Sequence, residues 1–339
     1  MRRRAIAFAL LSAALFGAST PLAKILVGTT SPLMLAGLLY LGAGIGLLIW
    51  LRGRFKRIGR SDLPWLAAVV ITGGIAGPAL LMLGLARTDA ATASLLLNLE
   101  AVLTALIAWV VFRENVDRRV FAGMLAIVAG GVLLSFEGAP QLQAGMLLIA
   151  AACFAWALDN NFTRRISGSD AATLACIKGL VAGSVNLGLA LLQGSPLPAP
   201  ATLAAAGVVG LLGYGVSVAL FIVALRELGT ARTAAYFSVA PFFGAALALL
   251  LLGETAGWAF WLAAALMAFG VGLHISERHR HAHAHEPMAH EHPHMHDEHH
   301  RHEHAFPWDG REPHTHSHRH EALSHSHPHH PDLHHRHTH

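Results

Sequence analysis

Residues 85–114 form the stretch LARTDAATASLLLNLEAVLTALIAWVVFRE, and residues 225–254 form the stretch LRELGTARTAAYFSVAPFFGAALALLLLGE. The two stretches align without a gap at a spacing of 140 residues, and both end in a glutamate, Glu114 and Glu254. Each carries an apolar run of about 20 residues, the length of helix that crosses the hydrocarbon layer of a bilayer. The repeat therefore predicts a protein built from two related halves, both embedded in a membrane.

Similar apolar runs recur from the N-terminus to about residue 275. Only 13% of the 339 residues are charged and the mean hydropathy is +0.49, whereas about a quarter of the residues of a soluble domain are charged. We therefore predict an all-α integral membrane protein with ten transmembrane helices, near residues 5–27, 32–51, 63–86, 90–112, 118–135, 143–163, 171–192, 202–225, 231–252 and 256–275.

The repeat spacing divides these helices into two sets of five, within residues 1–136 and 141–276. Because five is an odd number, the second set enters the membrane from the opposite face, so the halves form an inverted repeat. Many secondary transporters are built from inverted repeats and bind their substrate near the middle of the membrane, where the halves meet. The sequence therefore predicts a secondary transporter that works by alternating access.

Basic residues concentrate in the loops on one side of this ten-helix topology, and Arg87 is the exception. Loops rich in arginine and lysine stay in the cytoplasm. We therefore predict a multi-pass protein of a bacterial-type inner (plasma) membrane, with both termini in the cytoplasm. Lys24, at the extracellular end of the first helix, is expected to extend toward the lipid headgroups.

Each half ends its fourth helix with an apolar run and a glutamate, AWVVFRE at residues 108–114 and LLLLGE at residues 249–254. Pro241 lies in the fourth helix of the second half, within VAPFF at residues 239–243, whereas the first half has Glu100-Ala101 at the same place. In these features the chain resembles the EamA-type branch of the drug/metabolite transporter superfamily, which usually carries a proline there. The resemblance implies transport of a small solute and leaves the substrate open.

Ionisable groups inside a bilayer are rare because each costs at least ~2.5 kcal/mol at the centre of a helix. Glu100 lies about halfway along the fourth helix, and its mate in the repeat is Ala240. It is predicted to bind substrate or a proton, with a structural hydrogen bond as the alternative; a carboxyl group in a low-dielectric site tends to take up a proton. The predicted transport pathway comprises Asn98, Glu100, Asp159, Asn160, Asn161 and Lys178.

Asp159 and Lys178 are equally far from the middle of the connection at residues 164–170. An antiparallel hairpin of the sixth and seventh helices therefore places them at the same depth, which predicts a structural ion pair. For Asn160 and Asn161, substrate contact and hydrogen bonding at the helix end both stay open.

Residues 277–339 are predicted to be a disordered cytoplasmic tail, since they contain almost all of the 25 histidines and little apolar surface. Neutral imidazoles suit Zn²⁺, Ni²⁺ and Co²⁺, and the alternative is a solvated, pH-responsive polyelectrolyte. The predicted metal ligands of the tail are His281, His283, His285, His290, His292, His294, His296, His299, His300, His302, His304, His314, His316, His318 and His320.

Nothing in the sequence resembles an enzyme site, and no histidine precedes His274. The leading hypothesis is an exporter of small metabolites with a cytoplasmic tail that binds divalent metals. The alternatives are a divalent transition-metal exporter (Ni, Co or Zn) and a metal-buffering membrane protein without transport. No cofactor is required. The expected partners are the lipid bilayer and a small-molecule or metal-ion substrate; nucleic acid is not expected, and a homodimer stays open.

Overall fold

The structure, a computed structural model, describes residues 2–112, 118–136, 140–166, 169–228 and 230–275, together with residues 279–285, 288–294, 314–320 and 323–329 of the tail. The chain divides into two compact units, Met1–Glu277 and Arg278–His339. In the first unit, the described residues form helices and connecting loops, and no strand occurs among them.

Across its described residues, the first unit contains ten helices, five in each half of the repeat. The first half contains α1 (Arg2–Val27), α2 (Pro32–Leu51), α3 (63–85, after a short 3-10 turn at Arg60–Asp62), α4 (90–112) and α5 (Arg118–Phe136). The second half contains α6 (Pro140–Arg165), α7 (Ala171–Leu192), α8 (200–228), α9 (230–252) and α10 (Trp258–Ile275).

Among the described residues, nine helical stretches are long and apolar enough to cross a membrane, and α10 adds a shorter apolar stretch, Trp258–His274. The predicted all-α fold of two five-helix repeats is therefore confirmed. All ten helices occur where the sequence predicts them. The bounds differ by at most three residues, as at α6, which begins at Pro140 rather than near residue 143.

The two halves share their irregularities as well as their helices. A π-helical turn at Val70–Ala76 widens α3, and a second one at Leu211–Val216 widens α8 at the corresponding place of the repeat. Likewise, α4 is interrupted at residues 97–98 and α9 at residues 238–239. π-helical turns are rare and cluster at functional sites. Their occurrence at the same place in α3 and α8 therefore indicates a functional role for these two helices.

Several helices begin at side chains that cap the free N–H groups of the first turn. Ser31 accepts a hydrogen bond from the Met34 N–H at the start of α2, and Asp89 accepts one from the Thr92 N–H at the start of α4. Asp170 caps α7 in the same way. These caps satisfy backbone donors that would otherwise lie unpaired near the apolar layer.

Glycines bring equivalent helices of the two halves into close contact. Along the α2–α7 interface, a Cβ atom added at Gly183 would lie 2.6 Å from the Leu41 backbone nitrogen, and one added at Gly44 would lie 2.6 Å from that of Leu180. Between α5 and α10, Gly123 and Gly270 approach each other similarly. Small residues allow such contacts in lipid, where burial of apolar side chains gives no driving force.

The helices have a basic end, where α1 begins and α10 ends, and an opposite end, which we call the far end. The largest buried apolar cluster includes Leu26, Leu35, Leu81, Leu85 and Phe260. These residues lie on the far-end halves of their helices. The far end is therefore closely packed.

The second unit contains four short strands in the part of it that the structure describes. β1 (His279–His285) pairs antiparallel with β4 (Leu323–His329), and β2 (Met288–His294) pairs antiparallel with β3 (His314–His320). The sequence predicts no regular structure here. Isolated two-stranded ladders are marginally stable in water, so disorder of the tail as a whole stays a prediction.

Replacing Gly183 with alanine is expected to destabilise the helix bundle by about 1–3 kcal/mol, the usual cost of forcing extra atoms into a packed interior. Thermal unfolding of the purified protein in detergent measures the effect as a lower midpoint. Gly188→Ala is the matched control on the same helix, because a Cβ atom there meets nothing within 4 Å. Equal midpoints for the two variants would contradict the close approach of α2 and α7.

Candidate functional site

A cavity of about 240 Å³ lies between the two halves of the helical unit. Residues of α1, α2 and α4 from the first half and of α6, α7, α8 and α9 from the second half form its walls. The lining residues are Phe16, Tyr40, Ala43, Leu47, Glu100, Trp156, Asp159, Asn160, Ala175, Lys178, Gly179, Tyr214, Val218 and Phe237.

Glu100 enters the cavity from the first turn after the break in α4. Asn160 on α6 donates a hydrogen bond from Nδ2 to Glu100 Oε1 at 2.9 Å, and the same nitrogen lies 3.2 Å from Thr104 Oγ1. Asn160 thus joins two positions of α4 that are one helical turn apart. The carboxylate is held by a neutral donor, and within the described residues no ion pair to Glu100 is present.

Asp159 and Lys178 form the ion pair that the sequence predicts. Lys178 Nζ lies 2.7 Å from Asp159 Oδ2, and the exposed fractions of the two side chains are 25% and 6%. Thr163 donates a further hydrogen bond to Asp159 Oδ1 at 3.3 Å. Pairing at this distance offsets part of the cost of burying two charges.

The π-helical turn of α3 makes room for this pair and orients the neighbouring rings. A Cβ atom at Gly73 would collide with the Asp159 carboxyl group, so only glycine fits there without rearrangement. The Gly73 carbonyl accepts hydrogen bonds from Tyr40 Oη and from Trp156 Nε1, each at 3.0 Å. Asn186 Nδ2 donates to the Ile75 carbonyl at 3.3 Å. Side chains thus satisfy backbone oxygens of the widened turn.

Aromatic rings form the rest of the wall. Phe16 packs against Tyr214 with ring centroids 5.6 Å apart and against Phe237 at 5.3 Å, and Tyr40 lies 5.6 Å from Tyr214. Sequence reasoning missed these rings, because single aromatic residues inside apolar helices carry no distinguishing pattern. The one usable signal was the equivalence of Phe16 and Trp156 in the repeat.

A model of the EamA-like transporter family matches the chain twice, over residues 3–136 and residues 143–276. The chain belongs to this family. It is 30% identical over 263 residues to an uncharacterized transporter of Methanothermobacter thermautotrophicus, covering 70% of this chain and 76% of that one. It is also 29% identical over 185 residues to a probable amino-acid metabolite efflux pump of Salmonella typhimurium, covering 49% of this chain and 60% of the relative.

A solved crystal structure shares the fold, with a TM-score of 0.59 and 21% identity over 81% of this chain and 96% of that chain. The family model and the relatives together make this protein a membrane transporter of small solutes. As in the sequence repeat, the family match starts again after 140 residues.

Four of the six residues predicted for the pathway of this EamA-like transporter line the cavity together: Glu100, Asp159, Asn160 and Lys178. Asn98 does not line it. The Asn98 side chain is buried, donates to the Leu95 carbonyl at 2.8 Å and thereby stabilises the break in α4.

Asn161 also lies outside the lining. Its Nδ2 donates to the Ala157 carbonyl at 2.8 Å and to the Thr104 carbonyl at 3.2 Å, so it ties α6 to α4. Of the alternatives for this residue, the geometry favours helix hydrogen bonding. Asn98 and Asn161 thus stabilise the helices that carry Glu100 and Asp159, and neither side chain lines the cavity.

The predicted histidine ligands of the tail lie outside the residues whose side chains the structure describes: His281, His283, His285, His290, His292, His294, His296, His299, His300, His302, His304, His314, His316, His318 and His320. In the described part of the chain, no group of three or more His, Cys, Asp or Glu side chains is placed to hold a metal ion. The carboxylates in the cavity lining are those of Glu100 and Asp159, and Asp159 is paired with Lys178.

The far end of the transporter is closed by contacts between the halves. The Glu254 carboxylate, just after α9, accepts hydrogen bonds from the Ala90 and Ala91 N–H groups at 2.8 Å each. Within the first half, Lys24 on α1 donates from Nζ to the carbonyls of Leu85 and Thr88, each at 2.7 Å. Lys24 therefore binds the end of α3. The sequence instead predicts that this side chain extends toward the lipid headgroups. The glutamate that ends the repeat is a cap for a helix of the other half.

Proposed function

We propose that this EamA-like transporter exports a small organic solute by alternating access, and that the cavity between its halves is the binding site. The observation that carries the proposal is the placement of Glu100, Asp159, Asn160 and Lys178 together on a cavity wall built from both halves. Inverted-repeat transporters bind substrate where their halves meet. A volume of about 240 Å³ suits a small molecule.

The contacts of the far end support alternation between two states. Glu254 belongs to the second half and holds α4 of the first half, so rocking one half against the other must break these hydrogen bonds. The π-helical turns Val70–Ala76 and Leu211–Val216 provide places where helices can bend. With the far end closed by these contacts, we infer that the cavity opens toward the basic end.

We infer export from the position of the cavity and from the distribution of charge. Leu47, Asp159 and Ala175 lie about one to two helical turns from the basic end of their helices. Loops at that end carry the arginines and lysines that mark the cytoplasmic side. The cavity would then take up solute from the cytoplasm, and the protein would export it across an inner membrane. The name of the Salmonella typhimurium relative, a probable amino-acid metabolite efflux pump, agrees with export of an organic molecule.

Reporter fusions test this orientation. A reporter that works only in the cytoplasm is expected to be active when it is fused after His339, and one that works only outside the cytoplasm is expected to be active near Gly138. The reason is the concentration of positive loops at the basic end. Opposite activities at the two positions would place the tail outside and reverse the inferred direction.

An organic solute fits the cavity better than a metal ion. Divalent transition metals are held by several imidazole, thiolate or carboxylate ligands, and the lining contains neither histidine nor cysteine. One of the two carboxylates in the lining, that of Asp159, already forms an ion pair with Lys178. The aromatic walls instead offer contact area to a carbon skeleton.

Glu100→Gln is expected to reduce export far more than it reduces the amount of folded protein in the membrane. Glutamine keeps the size and the hydrogen bond to Asn160 but removes the charge. The measurement compares the metabolites in the medium of cells that express the full-length protein, the Glu100→Gln variant or neither, at matched membrane levels. Solutes enriched by the full-length protein should fall to near the level of cells without it.

Gly188→Ala serves as the control for this experiment, because its side chain lies away from other atoms and outside the cavity lining. It should export like the unmodified protein. If the full-length protein enriches no organic solute, the proposed function is wrong. If Glu100→Gln exports normally, the charge of Glu100 is not needed for transport and the residue has a structural role.

For the tail, we propose a cytoplasmic element that binds Zn²⁺, Ni²⁺ or Co²⁺ through its histidines and is accessory to transport. The proposal rests on the density of imidazoles in residues 279–339.

Deleting residues 279–339 should abolish most metal binding at neutral pH and leave the thermal midpoint of the helical unit unchanged. Binding to the full chain should fade between about pH 7 and pH 5, because an unperturbed imidazole takes up its proton near pH ~6.5 and then cannot ligate. Calorimetry with each metal ion measures both effects. Equal binding with and without the tail would refute the assignment, and loss of metal export by the truncated protein would favour a metal exporter.

A further inference from the structure

With Glu100 ionised, the side chains of the cavity carry one unbalanced negative charge. Lys178 Nζ lies 2.7 Å from Asp159 Oδ2, so these two charges neutralise each other. The remaining charge belongs to Glu100, whose hydrogen-bond partner is the neutral Asn160. Charges interact strongly in the low-dielectric interior of a membrane protein. An unbalanced carboxylate on a cavity wall therefore favours a cationic ligand.

The aromatic rings that line the same cavity favour the same kind of ligand. Phe16, Tyr40, Tyr214 and Phe237 form a contiguous wall with centroids 5.3 to 5.6 Å apart. Aromatic faces attract ammonium groups and pack against apolar skeletons. In the described part of the chain, the contacts between arginines and rings involve Phe8, Trp65 and Phe112, none of which lines the cavity.

We propose that the cavity selects a small organic ammonium ion, an amine joined to an aromatic or branched apolar body. The ammonium group would donate to Glu100, and the body would lie against the aromatic wall. This inference rests on the proposed function, since it names the class of solute for the same cavity.

A carboxylate on the solute would weaken binding. Lys178 is the one cationic side chain in the lining, and it is already paired with Asp159. A zwitterion would have to displace Asp159 or leave its own carboxylate near two acidic side chains. An amino acid should therefore bind more weakly than the amine obtained by removing its carboxyl group. This order of affinities distinguishes a site for amines from a site for amino acids.

Calorimetric titration of the purified full-length protein in detergent tests the order with four compounds of similar shape: phenethylamine, phenethyl alcohol, phenylalanine and hydrocinnamate. Phenethylamine should bind about tenfold or more tighter than phenethyl alcohol, as expected for a hydrogen bond to a charged group. Phenylalanine should bind more weakly than phenethylamine, and hydrocinnamate should bind weakest.

Two variants assign the effect to the cavity. Glu100→Gln should remove the advantage of the amine over the alcohol and leave the affinity for the alcohol unchanged. Glu227→Gln makes the same change of charge on an exposed residue of α8 outside the lining, and it should keep the advantage. If both variants lose the advantage, the preference comes from the charge of the whole protein and the proposal is wrong.

Other outcomes of the titration and of the export measurement also test the proposal. Tighter binding of phenylalanine than of phenethylamine would overturn the proposal in favour of a zwitterion site, and tightest binding of hydrocinnamate would overturn it in favour of an anion site. If the amine does not bind while the full-length protein still enriches another organic solute in the medium, the solute class is wrong and the proposed export stands. If the amine binds as expected but no solute is enriched, the solute class stands and the proposed export fails.

Discussion

Inside a membrane, every backbone polar group needs a partner within the protein, and the Gly73 carbonyl meets this requirement through side chains. Its partners are Tyr40 and Trp156, each at 3.0 Å. These two hydrogen bonds fix the orientation of both rings in the cavity wall. The missing side chain at Gly73 also lets Asp159 approach α3 closely enough to meet Lys178. Much of the site therefore depends on one widened turn, because water is not available to satisfy its oxygens.

The two halves of the molecule share their backbone and differ in their charge. The π-helical turns Val70–Ala76 and Leu211–Val216 occupy equivalent places, as do the breaks in α4 and α9. By contrast, the mates of Glu100 and Lys178 in the repeat are Ala240 and Leu38. The backbone symmetry suits a protein that moves between two related states, and the asymmetric side chains give one side of its cavity a chemical preference.

The sequence predicts the ten helices because apolar length is a strong signal in membrane proteins, and it predicts the Asp159–Lys178 pair because depth follows from counting along a hairpin. It does not predict the π-helical turns, since glycine pairs occur throughout the chain. Asn98 does not line the cavity, which the sequence does not indicate because sequence position gives the depth of a residue in the membrane but not the direction of its side chain. The sequence does not indicate the aromatic wall, because single aromatic residues inside apolar helices carry no distinguishing pattern.

The contact between Gly73 and Asp159 has a twin in the other half. Gly213 faces Ser19, where an added Cβ atom would lie 2.6 Å from the serine Cβ, and Ser19 is the repeat mate of Asp159. Each half thus keeps a glycine-lined niche of the same geometry, one filled by an acid and the other by an alcohol. Gene duplication leaves such a fold with two interchangeable positions for a polar group. A different polar side chain can therefore occupy either niche while the helices keep their paths.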